Sequence, residues 1–241
     1  MYSCYTERIE YLLVNLSEQS RIKIISGHFG SGKTEFAINY ALYLKKHFPK
    51  VAVIDLDIIN TYFRIRERQD FLEVRGIECI SSSIPKGNAL DIPALSSDIL
   101  RPLENRDYQV VIDAGGNPKG ALPLGRYREW LSKSGYEHYM VINRNRPETS
   151  TLETAIGFLK QIEAYSQCRV TGLINTTHML KQTTEEDVLY GQELVEEISK
   201  RLELPIVYTA VKEDVAKNLD PESIKGEIFP MKLFYRDLWM V

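Results

Sequence analysis

Short apolar runs alternate with longer segments of helical period along most of the chain. The runs are Ile22–Ser26, Val51–Asp55, Ile77–Ile80, Gln109–Asp113, Tyr139–Asn143, Val170–Asn175 and Ile206–Thr209. Most of them are continuously apolar, which is typical of strands that are buried on both faces of a sheet. We therefore predict that these runs are strands at the centre of the molecule.

The segments between the runs carry apolar residues at the spacing of one helix face. We predict helices over Lys33–Phe48, Thr149–Tyr165 and Thr184–Leu202, a capping box at Thr183-x-x-Glu186, and a further helix within residues 1–20. Repeated alternation of strand and helix predicts an α/β fold with a doubly wound, mainly parallel sheet and helices on both faces. Since no linker or composition break is visible, residues 1–241 are predicted to form a single domain, with residues 227–241 as an apolar C-terminal tail.

Composition narrows the class of protein further. The chain has 241 residues, 44% of them hydrophobic, and 30 basic against 33 acidic side chains, which leaves a net charge of −3. These values exclude a disordered chain and a collagen-like repeat, and they argue against a dedicated nucleic-acid binder. Cys4, Cys79 and Cys168 are too far apart for a zinc motif and indicate reduced thiols. The sequence shows neither a signal peptide nor a membrane-spanning run, so we expect a cytoplasmic protein.

The first predicted strand leads into a glycine-rich segment that matches G-x-x-x-x-G-K-[ST]. It reads Gly27-His28-Phe29-Gly30-Ser31-Gly32-Lys33-Thr34 and precedes an amphipathic helix. Backbone N–H groups of such a loop wrap a phosphate chain, and the helix presents its positive end to the same anion. The Lys33 ammonium would bridge the β- and γ-phosphates, and the Thr34 hydroxyl would hold Mg²⁺. The motif predicts a phosphate-binding P-loop.

Carboxylates follow two later strands, at the edge where parallel sheets bind their ligands. Asp55 and Asp57 lie at the end of the second run, where one could support Mg²⁺ and the other could orient the attacking water. The run Val110–Asp113 ends in a carboxylate, as a Walker B strand does. The glycines after it, including Gly116, would let backbone N–H groups approach a γ-phosphate.

In their order and spacing, the three motifs resemble the SIMIBI class of P-loop NTPases, the relatives of MinD, ParA, Mrp, CobQ, CobB and dethiobiotin synthetase. The resemblance spans roughly residues 22–211. It implies that Asp57 is the catalytic aspartate, that Asp55 and Asp113 support Mg²⁺, and that Gly116 is the glycine of switch II.

The resemblance also implies adenine readout near the end of a later strand, where this chain has Asn175. An Asn amide both donates to and accepts from the adenine edge, and the guanine-reading pattern Asn-Lys-x-Asp is missing from Asn175-Thr176-Thr177-His178. Residues Val207–Lys212 of the next strand would lie alongside the base. The predicted ligands are ATP or ADP with Mg²⁺. The predicted nucleotide contacts are Gly27, His28, Phe29, Gly30, Ser31, Gly32, Lys33, Thr34, Glu35, Gly116 and Asn175, with Lys33 and Asp57 catalytic and with Thr34, Asp55 and Asp113 at the metal.

One P-loop position departs from MinD and ParA. These relatives carry a lysine after the first P-loop glycine, which reaches the nucleotide of a second subunit, and this chain has His28 there. Since a neutral imidazole supplies no permanent charge, the sequence argues against an ATP-sandwich dimer, while a weaker homodimer through residues 227–241 is compatible with it. The helical face of that tail has too few cations for stable membrane binding.

The sequence leaves the reaction and the partner open. We predict an Mg²⁺-dependent ATPase. The alternatives are a synthetase that phosphorylates a small carboxylate and a nucleotide-loaded switch that acts on a protein partner. Arg144 and Arg146 follow the fifth run at the ligand-binding edge, where one of them could contact phosphate or act in trans, and a solvated basic loop is the alternative.

Overall fold

The computed structural model describes residues 20–57, 65–81 and 97–234. Its strands are β1 (Ile22–Gly27), β2 (Lys50–Asp55), β3 (Ile77–Ser81), β4 (Tyr108–Asp113), β5 (Glu137–Ile142), β6 (Gly172–Asn175), β7 (Ile206–Lys212) and β8 (Glu227–Met231). Its helices are α1 (Lys33–Lys45), α2 (Gln69–Glu73), α3 (Ser97–Glu104), α4 (Leu122–Gly125), α5 (Arg128–Ser134), α6 (Leu152–Ser166), α7 (Glu185–Leu202) and α8 (Glu213–Ala216). Short 3-10 turns cover Ile65–Arg68, Lys119–Ala121, Pro147–Thr149, Leu180–Gln182 and Pro221–Ser223.

The strands form one sheet in the order β3-β2-β4-β1-β5-β6-β7-β8, and each neighbouring pair is parallel. Successive residues of β1 face opposite sides of it, so that Ile25 packs with α1 and Ile24 packs in a second cluster. Because apolar clusters cover both faces, β1 is buried throughout, and it is mainly apolar, with Lys23 and Ser26 as its polar residues. The predicted doubly wound α/β fold is confirmed. Among the described residues, no helix has the length and apolar character needed to cross a membrane.

An eighth strand lies at the edge of the sheet, where the sequence predicts an apolar tail over residues 227–241. β8 pairs with β7, and its Phe229 and Met231 belong to the same core cluster as α1. Met231, the first residue of the helical face predicted for this tail, is therefore the last residue of a strand. The strand is hard to detect because it is short and contains Pro230, which a sheet tolerates at its edge. Residues 235–241, and residues 1–19 of the predicted N-terminal helix, lie outside the described residues.

The start of α7 differs by one residue from the predicted capping box. Thr184 is the N-cap: its hydroxyl accepts from the Asp187 N–H at 3.4 Å, and the Asp187 carboxylate accepts from the Thr184 N–H at 2.8 Å. The Thr183 hydroxyl instead accepts from the Met179 N–H at 3.0 Å, in the preceding 3-10 turn. The prediction of a box at Thr183 and Glu186 is wrong because the sequence offers two adjacent threonines and carboxylates, and the preceding turn decides between them.

Candidate nucleotide-binding site

The loop between β1 and α1 has a backbone shape that requires glycine. Gly30 and Gly32 have φ angles of 74° and 93°, in the left-handed region that side chains disfavour. Gly32 is the N-cap of α1, and no side chain accepts a hydrogen bond at this cap. The first N–H groups of this 13-residue helix can therefore donate to an anion. A Cβ on Gly27 would lie 2.8 Å from the Ser31 hydroxyl, so the loop also begins where no side chain fits.

Lys33, the first residue of α1, meets side chains from the ends of two strands. Its Nζ donates to Asp57 Oδ2 at 3.1 Å and to Asp113 Oδ1 at 3.2 Å. The Thr34 hydroxyl donates to Asp113 Oδ2 at 2.7 Å. All four side chains are buried, with Asp113 1% and Lys33 4% exposed. The structure thus brings the predicted catalytic pair and two of the predicted metal ligands into one cluster.

Asp55 lies beside this cluster, because β2 and β4 are in register with Asp55 opposite Asp113. Its Oδ1 accepts from the Asp57 N–H at 3.0 Å and so fixes the backbone where the chain leaves β2. Burial and the Asp113 carboxylate raise the pKa of Asp55 to about 7. Burial also raises the pKa of Asp113, while Lys33 and Thr34 oppose that shift. Burial disfavours the Lys33 ammonium, but Asp113 and Asp57 outweigh it and raise the pKa of Lys33.

The donor set at the P-loop fits Mg²⁺, which prefers oxygen ligands and keeps several of its waters. The Thr34 hydroxyl and the Asp113 carboxylate, 2.7 Å apart, are the groups that would hold it. The described residues contain no group of three or more His, Cys, Asp or Glu side chains placed for a metal ion. Phosphate oxygens and water would therefore complete the shell. Asp55 Oδ1 already accepts a hydrogen bond from the Asp57 N–H. The predicted support of Mg²⁺ by Asp55 stays a prediction.

Gly116 connects the segment after β4 with the P-loop. Its carbonyl accepts from the Phe29 N–H at 2.9 Å, and a Cβ on Gly116 would lie 3.1 Å from the Phe29 nitrogen. This contact uses the Phe29 N–H, which the sequence assigns to nucleotide. The phenyl ring, 48% exposed, lines a cavity beside the loop instead. Movement of the Gly116 segment is therefore tied to the shape of the P-loop.

A cavity of about 280 Å³ opens beside the P-loop at the carboxyl ends of β6, β7 and β8. Its lining includes Phe29, Gly30, Gly32, Lys33, Thr34, Glu35, Arg146, Thr176, Thr177, His178, Leu180, Thr183, Ala210, Val211, Lys212, Met231 and Leu233. The structure therefore places the end of the Val207–Lys212 segment on a cavity that is continuous with the phosphate-binding loop. The sequence does not predict the contributions of the loop after β6 or of the end of β8, because these residues belong to no recognisable nucleotide-binding motif. They are Thr176, Thr177, His178, Leu180, Thr183, Met231 and Leu233.

Asn175 is placed outside this lining, contrary to its predicted contact with adenine. The side chain is fully buried. Its Nδ2 donates to the Val188 carbonyl at 3.1 Å and to Gln192 Oε1 at 3.4 Å, and its Oδ1 accepts from the Thr177 N–H at 3.0 Å. The amide therefore holds the loop after β6 onto α7. Adenine readout by Asn175 does not fit this geometry, because the amide is buried and bonded internally.

Glu35 builds one wall of the cavity. Both of its carboxylate oxygens accept from the Phe234 N–H, at 3.1 and 3.0 Å. One turn further along α1, the Asn39 amide accepts from the Lys232 N–H and donates to the Lys232 carbonyl, both at 2.9 Å. These bonds fix the segment that carries Leu233 against the P-loop helix. Glu35, which the sequence analysis assigns to nucleotide, holds the segment that forms this wall of the cavity.

His28 faces a different part of the molecule from the cavity. Its Nδ1 lies 3.0 Å from the Phe29 carbonyl oxygen and 3.3 Å from Glu148 Oε2. The ring makes an edge contact with Phe158 of α6, with ring centres 5.5 Å apart. The structure therefore does not bring His28 to the cavity that Lys33 and Thr34 line.

The two arginines after β5 have different environments. Arg146 Nε donates to the Gly30 carbonyl at 3.0 Å, and its side chain lines the cavity. Arg144 stacks on Tyr190, 3.8 Å from the ring centre, and pairs with Glu193 at 3.0 Å. Of the two, Arg146 is the candidate for contact with nucleotide, and Arg144 holds this loop to α7.

No protein-family model and no curated protein matches the chain. Solved structures do match: the cell division protein FtsY from Thermotoga maritima has a TM-score of 0.55 and 21% identity, over 84% of this chain and 65% of that one. Chloroplast FtsY from Physcomitrella patens has a TM-score of 0.52 and 21% identity, over 80% and 58%. The signal recognition particle receptor FtsY from Elizabethkingia anophelis has a TM-score of 0.51 and 19% identity, over 81% and 60%.

The present chain spans less than two thirds of the length of each of these proteins. The similarity shows the fold. It is a parallel α/β sheet with helices on both faces, as the sequence predicts. The sequence-based resemblance to the SIMIBI class is consistent with this fold, and the narrower assignment to the MinD and ParA relatives stays a prediction.

Proposed function

We propose that the protein binds ATP with Mg²⁺ and hydrolyses it. The observation that carries the proposal is the buried cluster of Lys33, Thr34, Asp57 and Asp113 at the start of α1. A glycine-rich loop that leads into a helix N-terminus, one ammonium, a hydroxyl beside a carboxylate and a second carboxylate are the groups that transfer of a terminal phosphoryl group to water requires.

Each residue has a distinct role in this proposal. The N-terminal N–H groups of α1 and the Lys33 ammonium bind the phosphate chain and stabilise the charge that develops on it. Thr34 and Asp113 hold Mg²⁺, which supplies further charge neutralisation when bound. Asp57 accepts a hydrogen bond from the attacking water and orients it. In the structure, Asp57 and Asp113 both bind Lys33, so binding of nucleotide and metal exchanges these internal ion pairs for contacts with ligand.

The cavity beside the P-loop favours adenine as the base. Guanine presents two adjacent N–H donors, which need a carboxylate acceptor, and an unpaired buried donor costs about 1–3 kcal/mol. Among the described lining residues, the carboxylate is that of Glu35, and both of its oxygens accept from Phe234 N–H. The loop after β6 contributes Thr176, Thr177 and His178 to the lining, and none of these three carries a carboxylate.

Two substitutions separate binding from hydrolysis. We expect Asp57→Asn to bind Mg-ATP as the wild type does and to hydrolyse it at least about a hundredfold more slowly, because it loses the group that orients water. Lys33→Ala is expected to lose most of its affinity, since a desolvated charge on the phosphates is removed. Calorimetry and phosphate release measure the two effects. Asp70→Asn, an exposed carboxylate in α2, is the control. Unchanged hydrolysis in Asp57→Asn would contradict the role of Asp57.

Competition between nucleotides tests the base. We expect ATP to bind at least about tenfold more tightly than GTP, which corresponds to ~1.4 kcal/mol. Displacement of a fluorescent ADP analogue by ATP, GTP, ADP and GDP gives the ratio directly. Equal affinity for ATP and GTP would refute the adenine assignment and would leave the P-loop assignment intact.

A further inference from the structure

A second hollow lies beside the P-loop, apart from the cavity at the carboxyl ends of β6, β7 and β8. It has a volume of about 440 Å³, within the range of small-molecule sites. Its lining is formed by His28, Asn117, Pro118, Glu148, Thr154, Gly157, Phe158 and Gln161. His28 belongs to the P-loop, and Asn117 and Pro118 follow Gly116, the glycine predicted to approach the terminal phosphate. The hollow therefore opens beside the phosphate-binding loop rather than beside the base.

One face of α6 forms the far wall, and it leaves open space. Thr154, Gly157, Phe158 and Gln161 are spaced three and four residues apart, so they share this face. A Cβ built on Gly157 has no described atom within 4 Å. A glycine inside a helix costs about 1 kcal/mol relative to alanine, and packing does not require it here. The position is open for a bound molecule.

His28 is arranged as a base beside this hollow. Its Nδ1 faces two acceptors, the Phe29 carbonyl oxygen at 3.0 Å and Glu148 Oε2 at 3.3 Å. An imidazole nitrogen between two oxygen acceptors carries the proton, so in the neutral ring Nε2 has the free electron pair. A carboxylate that binds Nδ1–H orients the ring and stabilises the imidazolium that forms when Nε2 accepts a proton.

The lining also selects the chemistry of the ligand. It contains the amides of Asn117 and Gln161, and its described residues include no lysine or arginine. The Thr154 hydroxyl is bonded to Thr151 within the cap of α6, Asn117 Oδ1 accepts from the Gly120 N–H, and the Glu148 carboxylate lies against His28 Nδ1. A carboxylate or phosphate ligand would face Glu148 without a compensating cation, which disfavours the small-carboxylate synthetase. An uncharged molecule with hydroxyl groups can hydrogen-bond to the Asn117 and Gln161 amides without facing Glu148 as a second anion.

We propose that this hollow binds an uncharged polyhydroxy molecule and that the protein transfers the terminal phosphoryl group of ATP to one of its hydroxyls. The inference rests on the proposed ATP site. The hydroxyl oxygen forms a bond to the γ-phosphorus, and the bond from the γ-phosphorus to the bridging oxygen breaks, with its electron pair leaving on ADP. His28 Nε2 accepts the hydroxyl proton. The products are a phosphate monoester and ADP, and Glu148 is a positioning residue for His28.

Filling the hollow is the direct test. The full chain is incubated with Mg-ATP and one of three hydroxyl probes, glycerol, ribose or myo-inositol. Glutarate serves as the carboxylate control. Phosphorus NMR follows the products. We expect a phosphate monoester from at least one hydroxyl probe and no acyl phosphate from glutarate. Gly157→Leu is expected to lower ester formation at least about tenfold while hydrolysis of ATP is unchanged. Gly157→Ala, which adds one methyl group to open space, is the matched control and should keep both activities.

A second variant keeps the test valid if Gly157→Leu does not fold. Glu148→Gln is expected to lower kcat for ester formation about a hundredfold, with the affinity of the probe and the hydrolysis of ATP unchanged. A change in probe affinity that matches the loss of rate would assign Glu148 to binding and overturn its positioning role. Probe affinity is read from amide shifts of the hollow in a titration of the protein.

Three results would overturn the proposal. The first is that no hydroxyl probe gives an ester. The second is phosphoryl transfer to glutarate, and the third is phosphoryl transfer by Gly157→Leu at the rate of the wild type. An ATP-dependent doubling of mass that Gly157→Leu abolishes would assign the hollow to a second copy of the chain instead. A wild type that hydrolyses ATP without forming ester contradicts this inference alone. A wild type that neither binds nor hydrolyses ATP contradicts the proposed function.

Discussion

Asp55, Asp57 and Asp113 surround a single ammonium, that of Lys33, in a buried site. Burial of like charges disfavours their ionised forms, and the pKa of Asp55 is accordingly raised to about 7. The excess negative charge lowers the stability of the metal-free protein, and in the proposed function Mg²⁺ would offset it. The same residues that serve the ligand thus make the empty site sensitive to pH.

Stability of the metal-free protein should fall as pH rises. Asp55 keeps its proton up to about pH 7 in the folded protein and only up to its ordinary value of 3.8 in the unfolded chain. Between these values the folded state binds more protons, so the free energy of unfolding decreases with pH, by at most ~1.4 kcal/mol per unit for this group. Asp55→Asn stays neutral, and it should lose most of this slope and be more stable than wild type at pH 8.

Urea unfolding at pH 5 and pH 8 in EDTA measures this difference. Asn keeps a side-chain oxygen that can accept the Asp57 N–H, so the variant preserves the local backbone. Asp98→Asn, an exposed carboxylate at the start of α3, is the control and should follow wild type. An unchanged slope in Asp55→Asn would show that Asp55 is ionised in the folded protein.

Two helices carry an interior glycine, in opposite surroundings. On α7, a Cβ at Gly191 would lie 2.1 Å from Thr177 Oγ1 and 2.6 Å from Asn175 Oδ1. On α6, a Cβ at Gly157 has no described atom within 4 Å. The glycine of α7 lets the loop after β6 approach the helix, and this loop lines the cavity beside the P-loop. Helix packing therefore contributes to the shape of the ligand site.

The same substitution should have opposite effects in the two helices. Gly191→Ala is expected to destabilise the protein by about 1–3 kcal/mol and to weaken nucleotide binding, because Thr177 and Asn175 must move. Gly157→Ala is expected to stabilise it by about 1 kcal/mol through helix propensity alone and to leave nucleotide binding unchanged. Thermal unfolding and calorimetry give both quantities. Equal shifts of the same sign in the two variants would disprove this account of the packing.

For the whole molecule, we predict that ATP does not induce a dimer. His28 replaces the lysine that reaches across the subunits of MinD and ParA, and its Nδ1 is engaged by Glu148 of the same chain. Light scattering of Asp57→Asn, which should hold ATP without turnover, is expected to give the same mass with and without ATP. The comparison is the double variant Asp57→Asn with His28→Lys, which restores the lysine of MinD and ParA at this position. A doubling of mass on adding ATP to the single variant would show that His28 permits the sandwich.

The P-loop, the carboxylates after β2 and β4 and the buried parallel strands could all be predicted from the sequence. Each depends on local chemistry: glycine where φ is positive at Gly30 and Gly32, carboxylates where a strand ends, and an apolar run such as that of β2 where both faces of a strand are covered. The contacts that join Lys33 to Asp57 and Asp113 follow from these positions, since the carboxyl ends of parallel strands meet at one edge.

The tertiary structure alone decided where the other side chains act. Asn175 follows a strand end as a base-reading residue would, but the close approach of α7 at Gly191 leaves its amide buried and bonded internally. β8 carries a proline and few residues, so its place depends on β7 and α1 rather than on its own pattern. The roles of His28 and Glu35 depend on partners 120 and 199 residues away, at Glu148 and Phe234. Such pairings result from packing of the whole chain, and no local sequence pattern encodes them.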